Sequence, residues 1–398
     1  MYQILSGLRV IEASSFVASP TAGLYLAQMG AEVIRVDQIG GGPDYRRWPK
    51  TPDGASLYWE NLNRAKKSVA LDLARAEGRE LLQALVAATG QFVTNFPVDG
   101  FLSHEVLSKE RADLVTVRIM GMADGGPALD YTVNAAVGVP DLTGPGPEPV
   151  NHVLPAWDLL AGAYAAFAML AALRHRDQTG LGKEIRISLS DVAIGTVANL
   201  GMLAEIFETG AARERLGNTV YGAFGRDFVT LDNVRVMIMA ITPRQWTGLV
   251  KVLDIGGEVA VIESTRGVSF SKDEGVRFEH RDVLFPLVQE RVSKFIYSDL
   301  RSALDANGCC YGPYQTMYQA VHDPALVGNN PIFGYSDNPS GKSYPAAGSI
   351  ASIPQLPRQA ATSAPKLGCN SEEILADILG LSSANIASLH DKGIIAQA

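Results

Sequence analysis

At 398 residues the chain is roughly two to three times the size of one ordinary hydrophobic core, so two domains, or one domain with a large insertion, are expected. Hydrophobic residues make up 47% and charged residues 19%, which excludes a disordered chain. A net charge of -8, from 34 basic and 42 acidic residues, argues against a nucleic-acid partner, which needs a basic face.

Residues 8–13 (LRVIEA) read as a short apolar strand and 14–19 as a loop; Pro20 then opens a helix that stops at Gly30. AEVIRVD follows as a second strand ending at Asp37, completing a β-α-β unit with a right-handed crossover. The alternation continues. Residues 68–73 read as a strand, 76–88 as a helix, 91–95 as a strand, 103–110 as a helix and 112–120 as a strand. Such alternation predicts a doubly wound α/β sheet.

Residues 121–155, rich in Gly, Pro and Asp, read as a long loop at a functional face. After them come a helix over 155–176, a strand over 184–189 and a helix from 191 to about 208. The apolar run 159–173 is shorter than the ~20 residues a bilayer span needs and reads as a buried helix, so no membrane partner is expected. Residues 224–231 and 234–241 read as a hairpin turning at Asp232-Asn233, followed by helices to about 306. Residues 311–359 read as irregular, and two short helices close the chain after 371. The expected organisation is a large Rossmann-like domain over 1–214, a smaller inserted α+β domain over 215–310, and a part over 311–398 that returns to the large domain.

Several chemistries are excluded by missing motifs. The loop after the first strand reads Ser-Ser-Phe-Val-Ala-Ser-Pro and lacks G-x-G-x-x-G, so a dinucleotide is not expected despite Asp37 at the second strand's end. There is no G-x-S-x-G elbow, and His280-Arg281-Asp282 lacks the Asn of a kinase catalytic loop. The six histidines form no H-E-x-x-H, and no metal site is expected. Cys309 and Cys310 are adjacent and Cys369 stands alone, which gives neither a disulfide framework nor a zinc spacing; the pair reads as packing. The N-terminus lacks a basic segment followed by an apolar core, so a cytoplasmic protein is expected.

Two basic clusters, residues 44–48 (DYRRW) and 63–68 (NRAKKS), fit a seat for a phosphorylated ligand, with solvated surface charge as the alternative. Asp158 stands in the first turn of the apolar, Ala-rich helix, beside Trp157. A first-turn acid is favoured by the helix dipole, yet a carboxylate in apolar surroundings carries a desolvation cost. Pattern alone leaves both readings open.

The order of several segments carries more. The opening LSGLRVIE and LAQMGAEVIRVD are joined by Asn63-Arg64 to Lys67-Ser68, Leu71-Asp72-Leu73 and Asn95-Phe96. Further along stand Asp158 with Gly162 and the helix ending Arg174-His175-Arg176, then Thr179-Gly180 to Asp191, Asp323-Pro324, and Ala364-Pro365-Lys366-Leu367-Gly368. Together these resemble the class III CoA-transferases of the CaiB/BaiF type, a family that also holds 2-methylacyl-CoA racemases. Within it, residues 93–97, 130–134, 150–158, 216–218 and 221–228 are similar to those of members that move CoA between the two carboxyls of one diacid.

The resemblance implies an interlocked homodimer, an acyl-CoA substrate and no cofactor beyond its CoA. It implies conversion of 2-methylfumaryl-CoA (mesaconyl-C1-CoA) to 3-methylfumaryl-CoA (mesaconyl-C4-CoA), a step of the 3-hydroxypropionate bicycle of carbon fixation. Asp158 matches the nucleophile that would form aspartyl anhydride and aspartyl-CoA thioester intermediates. Phe16, Val17, Leu71, Asn95 and Phe96 would line the CoA site, with Arg46 and Lys66 of the basic clusters as further contacts to it, and Arg46, Arg47 or Arg226 would hold the free carboxylate. The family's Arg after Asn-Phe is replaced near His104, and the glycine-rich loop of formyl-CoA transferases is absent. The alternatives are CoA transfer to a separate acid, a racemase using His152 with Asp158, or a CoA-binding protein without activity.

Overall fold

The computed structural model describes residues 1–396. The chain runs β1 (Arg9–Ala13), α1 (Ala18–Gln28), β2 (Glu32–Gln38), α2 (Leu57–Leu62), β3 (Lys67–Leu71), α3 (Ala76–Thr89), β4 (Gln91–Thr94), α4 (His104–Glu110) and β5 (Val115–Met120). Next come α5 (Asp130–Ala136), α6 (Val139–Leu142), α7 (Ala156–Thr179), β6 (Lys183–Ser188), α8 (Leu189–Asn199) and α9 (Met202–Thr209). The strands β1 to β6 form a parallel sheet in the order β3-β2-β1-β4-β5-β6, the doubly wound arrangement the alternation predicts.

The continuous apolar strands follow from burial on both faces: Val10, Ile11, Ile34, Phe92 and Val117 lie at 0–1% exposure beneath flanking helices. Helix α1 ends where expected, because Gly30 adopts φ 105 beside the Gln3 backbone, a place no side chain could occupy. The helix begins at Ala18, two residues before Pro20.

The rest of the chain is β7 (Phe224–Val229), β8 (Arg235–Ala240), α10 (Pro243–Leu253), α11 (Gly256–Arg266), α12 (Glu274–Glu279), α13 (Arg281–Val292), α14 (Tyr297–Ala306), β9 (Cys310–Pro313) and α15 (Met317–His322). After a π-helical turn (Pro324–Gly328) come β10 (Phe333–Asp337), β11 (Ser343–Ala347), α16 (Ser371–Leu379) and α17 (Ser383–Asp391). Two compact units result. One comprises 1–137, 152–211 and 324 onward; the other comprises 138–151 and 212–323. In the first, Ile374, Leu375 and Ile386 of the C-terminal helices complete the core over Leu82 and Leu85 of α3. In the second, the antiparallel β7-β8-β9 sheet packs Phe224, Phe228 and Ile238 against Trp246, Leu249 and Phe285.

Three expectations are corrected. Residues 121–155 are not one loop: they contain α5 and α6. The helix after β6 is broken at Leu200-Gly201, where Gly201 takes φ 77 and the two pieces diverge by 64°. Residues 311–359 are not irregular, since β10 and β11 form an antiparallel hairpin bound to the large unit through Glu60, which accepts from Ser340 N and Tyr344 Oη.

Helix α7 is also longer than its apolar run suggests. Its 24 residues, with mean hydropathy 1.6 over the most apolar window, would suffice by length and composition to cross a bilayer. Here its small residues Ala161, Gly162 and Ala165, together with Met169, are buried, and the helix packs on α1 and β5.

Candidate functional site

The sheet's order reverses between β1 and β4, and the loops leaving those strands diverge there, as at the ligand sites of open α/β sheets. The two loops are stitched together. Asn95 accepts from Ser15 N at 3.1 Å and donates to Ser15 O at 2.9 Å. Phe16, at φ 68, is in the left-handed region that an aromatic residue adopts only under constraint. That constraint is Asp44 Oδ2, which accepts from Phe16 N at 3.2 Å.

Below the loop lies a buried ionic cluster. Arg35 of β2, fully enclosed, donates to both oxygens of Asp37 at 2.8 Å, to Asp44 at 3.0 Å, to Asn63 Oδ1 at 3.0 Å and to Ser14 O at 3.1 Å. Lys66 reaches Glu12 at 2.8 Å, Pro20 O at 2.9 Å and Asn63 at 2.9 Å. Burial brings the Lys66 ammonium down to about 8, against the pull of Glu12. Burial also raises the Asp44 carboxyl, with Arg35 opposing it.

Asp158 lies in the first turn of α7, close to this loop. Gly162, one turn on, faces Ala18 O and Thr21 so closely that an added Cβ would sit 2.6 Å from the carbonyl, and so α1 and α7 begin side by side. Burial, then the charge of Asp130, push the Asp158 carboxyl up to about 7, while Arg47 pulls it down. The Arg47 guanidinium stacks 5.4 Å from the Phe16 ring and 5.5 Å from Tyr58. The Tyr58 hydroxyl is buried without a hydrogen-bond partner among the described residues, and burial pushes it up to about 12, so it stays protonated.

Asp130, 2% exposed, supplies the cap that Pro155 cannot give α7. Its Oδ2 accepts from Trp157 N at 2.7 Å and Asp158 N at 3.0 Å, and its Oδ1 lies 3.1 Å from His152 Nε2. His152 therefore faces Asp130, not the Asp158 carboxyl with which a racemase reading would pair it.

The structure thus brings Asp158, Arg47, Phe16 and Asn95 together, and Val17, next to Phe16, is buried where α1 begins. Four other expected residues lie elsewhere. Lys66 is enclosed with its three protons spent on Glu12, Pro20 and Asn63; it braces the loop, and the expected phosphate contact is corrected accordingly. The Leu71 side chain is fully buried in the core, so a ligand there meets only backbone. Arg46 lines a separate cavity of about 420 Å³ with Lys50, Trp59 and Lys366. Arg226 belongs to the second unit, where it lies over Phe285 at 5.2 Å.

Phe96 packs on the core, and its carbonyl accepts from Arg118 at 2.8 Å. This fully buried arginine also binds Pro97 O and Leu102 O, fixing the loop after β4. His104 opens α4 and bonds Thr116 at 2.9 Å. Arg118, Asp130, Asp44 and Tyr58 were not singled out by sequence reasoning. For Arg118, as for Arg35, the charge set mid-strand in TVRIM and VIRVD was the available signal, because a parallel strand covered on both faces has no water for it; Asp130, Asp44 and Tyr58 carry no such mark. Among the described residues no group of three or more His, Cys, Asp and Glu could hold a metal.

The chain is similar to known proteins over nearly its whole length. The family description "CoA-transferase family III" matches residues 5–371. The chain is 43% identical over 404 residues to 2-methylfumaryl-CoA isomerase of Chloroflexus aurantiacus, covering 100% of this chain and 98% of that one. It is 28% identical over 409 residues to succinyl-CoA–D-citramalate CoA-transferase of the same organism, covering 98% of both. The crystal structure of a CAIB/BAIF family protein from Brucella suis superposes with a TM-score of 0.76 at 26% identity, covering 95% of this chain and 100% of that one. With likeness of sequence and fold running nearly end to end, the chain belongs to CoA-transferase family III.

Proposed function

We propose that the protein is an intramolecular CoA-transferase that converts 2-methylfumaryl-CoA to 3-methylfumaryl-CoA, with Asp158 as its nucleophile. The observation that carries the proposal is the 43% end-to-end identity to an isomerase of that name, joined to a half-buried carboxylate on the first turn of α7. The Asp158 carboxylate attacks the C1 thioester carbonyl, the C–S bond breaks, and CoA leaves as thiolate from a mixed anhydride. The thiolate attacks the aspartyl carbonyl, which releases the C1 carboxylate and leaves an enzyme thioester. The C4 carboxylate then attacks that thioester and expels the thiolate again. Attack of the thiolate on the C4 carbonyl forms the product and restores Asp158.

No proton changes hands in any step, so the site needs no general acid or base. It needs donors for the oxyanions, and the first-turn N–H groups of α1, which lack intrahelical partners, are suited to it. Arg47 is the better candidate for the free carboxylate, because its charge already acts on Asp158 and its plane is held by two rings. No cofactor beyond the CoA of the substrate is required. The test is incubation of the enzyme with 2-methylfumaryl-CoA alone. The C4 thioester should accumulate without added acid; its appearance only when an acceptor acid is supplied would mean intermolecular transfer.

The active form is a homodimer. An apolar stripe on α7, namely Leu160, Tyr164, Phe167 and Leu170, stands 39–61% exposed, and Phe207 of α9 is 82% exposed. Monomers rarely leave so large an apolar patch open. Phe167→Glu should shift the mass in light scattering from two chains to one; an unchanged mass would place the interface elsewhere.

A further inference from the structure

Asp130 is placed oddly for an enzyme whose nucleophile is an anion. It is nearly inaccessible, and its carboxylate takes the two N–H groups that open α7, one of them the amide of Asp158 itself. A capping role alone would be met by a neutral Asn or Ser, so the capping geometry does not require the charge. The charge nevertheless bears on Asp158, as a like charge close to a half-buried carboxylate must. His152 Nε2 holds the other oxygen, and the His152 ring is itself packed between Tyr131 at 5.9 Å and Trp157 at 6.2 Å.

We propose that Asp130, tuned by His152, is a positioning residue that drives acylation: it fixes the turn carrying Asp158 and repels its carboxylate, a repulsion released when Asp158 becomes an acyl group. This rests on the reading of Asp158 as nucleophile. In the acylation step the Asp158 oxygen forms a bond to the thioester carbonyl carbon, the C–S bond breaks, and the electron pair leaves on the CoA sulfur. The negative charge thereby departs from the oxygen atoms nearest Asp130. The ionised ground state is raised and the neutral acyl-enzyme is not, so the barrier to attack falls. Without a counterweight the same repulsion would keep Asp158 protonated. Arg47, on the Phe16 side, supplies it. The other ionisable groups at hand are Tyr58, on which the Asp158 charge acts, and beyond it Asp44 and Arg35. Facing Asp130 are His152 and the Asp158 turn, with Tyr131 alongside.

Two variants of the full-length enzyme test this, each read by the pH profile of kcat/KM and by the plateau rate above pH 8.5. Asp130→Asn keeps a side-chain oxygen for the two amides and removes the charge. Its acid limb should move down by about one pH unit while the plateau rate falls about tenfold, because the drive to acylate is lost. His152→Phe preserves the ring packing and removes the donor to Asp130, leaving the full charge to act on Asp158. Its acid limb should move up.

Opposite displacements are not what a loss of structure produces. An acid limb that stays in place in either folded variant, or that moves the same way in both, overturns the inference. If Asp130→Asn does not fold, the direction in His152→Phe decides alone. Hydroxylamine trapping on the wild type separates the two readings. A wild type without acyl label on Asp158 sinks the nucleophile itself, whereas label on Asp158 with unmoved profiles sinks only the role of Asp130.

Discussion

Asp158→Ala is expected to lower kcat by at least about 10⁴-fold and to abolish the hydroxylamine-sensitive acyl-enzyme, because every step of the proposed transfer passes through this carboxylate. The substitution leaves the local frame intact, since the bond from the residue 158 amide to Asp130 is made by backbone. The same variant should be more stable than the wild type in alkaline solution. The folded carboxyl sits at about 7, above its unfolded range, so folding favours the protonated form. That contribution is complete below about pH 4 and is lost as pH rises through about 7. Above pH 8 the wild type therefore bears an ionised, half-buried carboxylate that the alanine variant lacks. Partial solvent access reduces the difference to about 1–2 kcal/mol, a few degrees in Tm. Scanning calorimetry at pH 8.5 and pH 5 checks this: the gap should narrow at the lower pH. A variant that retains activity, or a Tm gap that widens toward acid, would remove Asp158 from the centre of the mechanism.

The doubly wound sheet was legible because its signals are local. Apolar runs such as LRVIEA and AEVIRV, with Gly30 between, settle strand, helix and strand without any knowledge of neighbours. What was missed depends on distant partners. Helix α5 has only seven residues, and its place is settled by Asp130 capping α7 and by Asn134 accepting from Trp157 Nε1 at 3.1 Å. Neither bond is visible in a Gly- and Pro-rich stretch read alone. The β10–β11 hairpin shows no period-two alternation in FGYSD and SYPAA, and Glu60, some 280 residues away, holds it.

The candidate site divides the same way. Asp158 stood out because a lone acid on an Ala-rich helix is costly and the segments around it resemble a family. Its electrostatic partners did not, because Asp130 and Arg47 reach it only through folding. Lys66 shows the converse. A basic residue in NRAKKS reads as a surface cation for phosphate, yet the close approach of α1 at Gly23, where a Cβ would strike Glu12, leaves that ammonium no route to solvent.

Arg35→Met should be the most destabilising single change in the large unit. The native guanidinium sits among Glu12, Asp37 and Asp44 at 3.4, 2.8 and 3.0 Å, with all four side chains essentially enclosed. Methionine fills most of the volume but leaves carboxylates buried without their shared cation, which costs about 3–5 kcal/mol. Urea denaturation at pH 7.5 reads this directly. The loss should reach the site as well, since Asp44 holds Phe16 N and would be drawn toward water. Two further measurements distinguish uncompensated charge from poor packing. Adding Asp44→Asn to Arg35→Met removes one of the stranded charges and should recover about 1–2 kcal/mol, a coupling that a double-mutant cycle isolates. Lowering the pH toward 5 should also narrow the deficit: burial already raises the Asp44 carboxyl, and without Arg35 to oppose it that group takes a proton more readily. If the deficit is the same at both pH values and the second substitution adds to it, the cluster acts through shape, and the strained turn at Phe16 must be held by something other than charge.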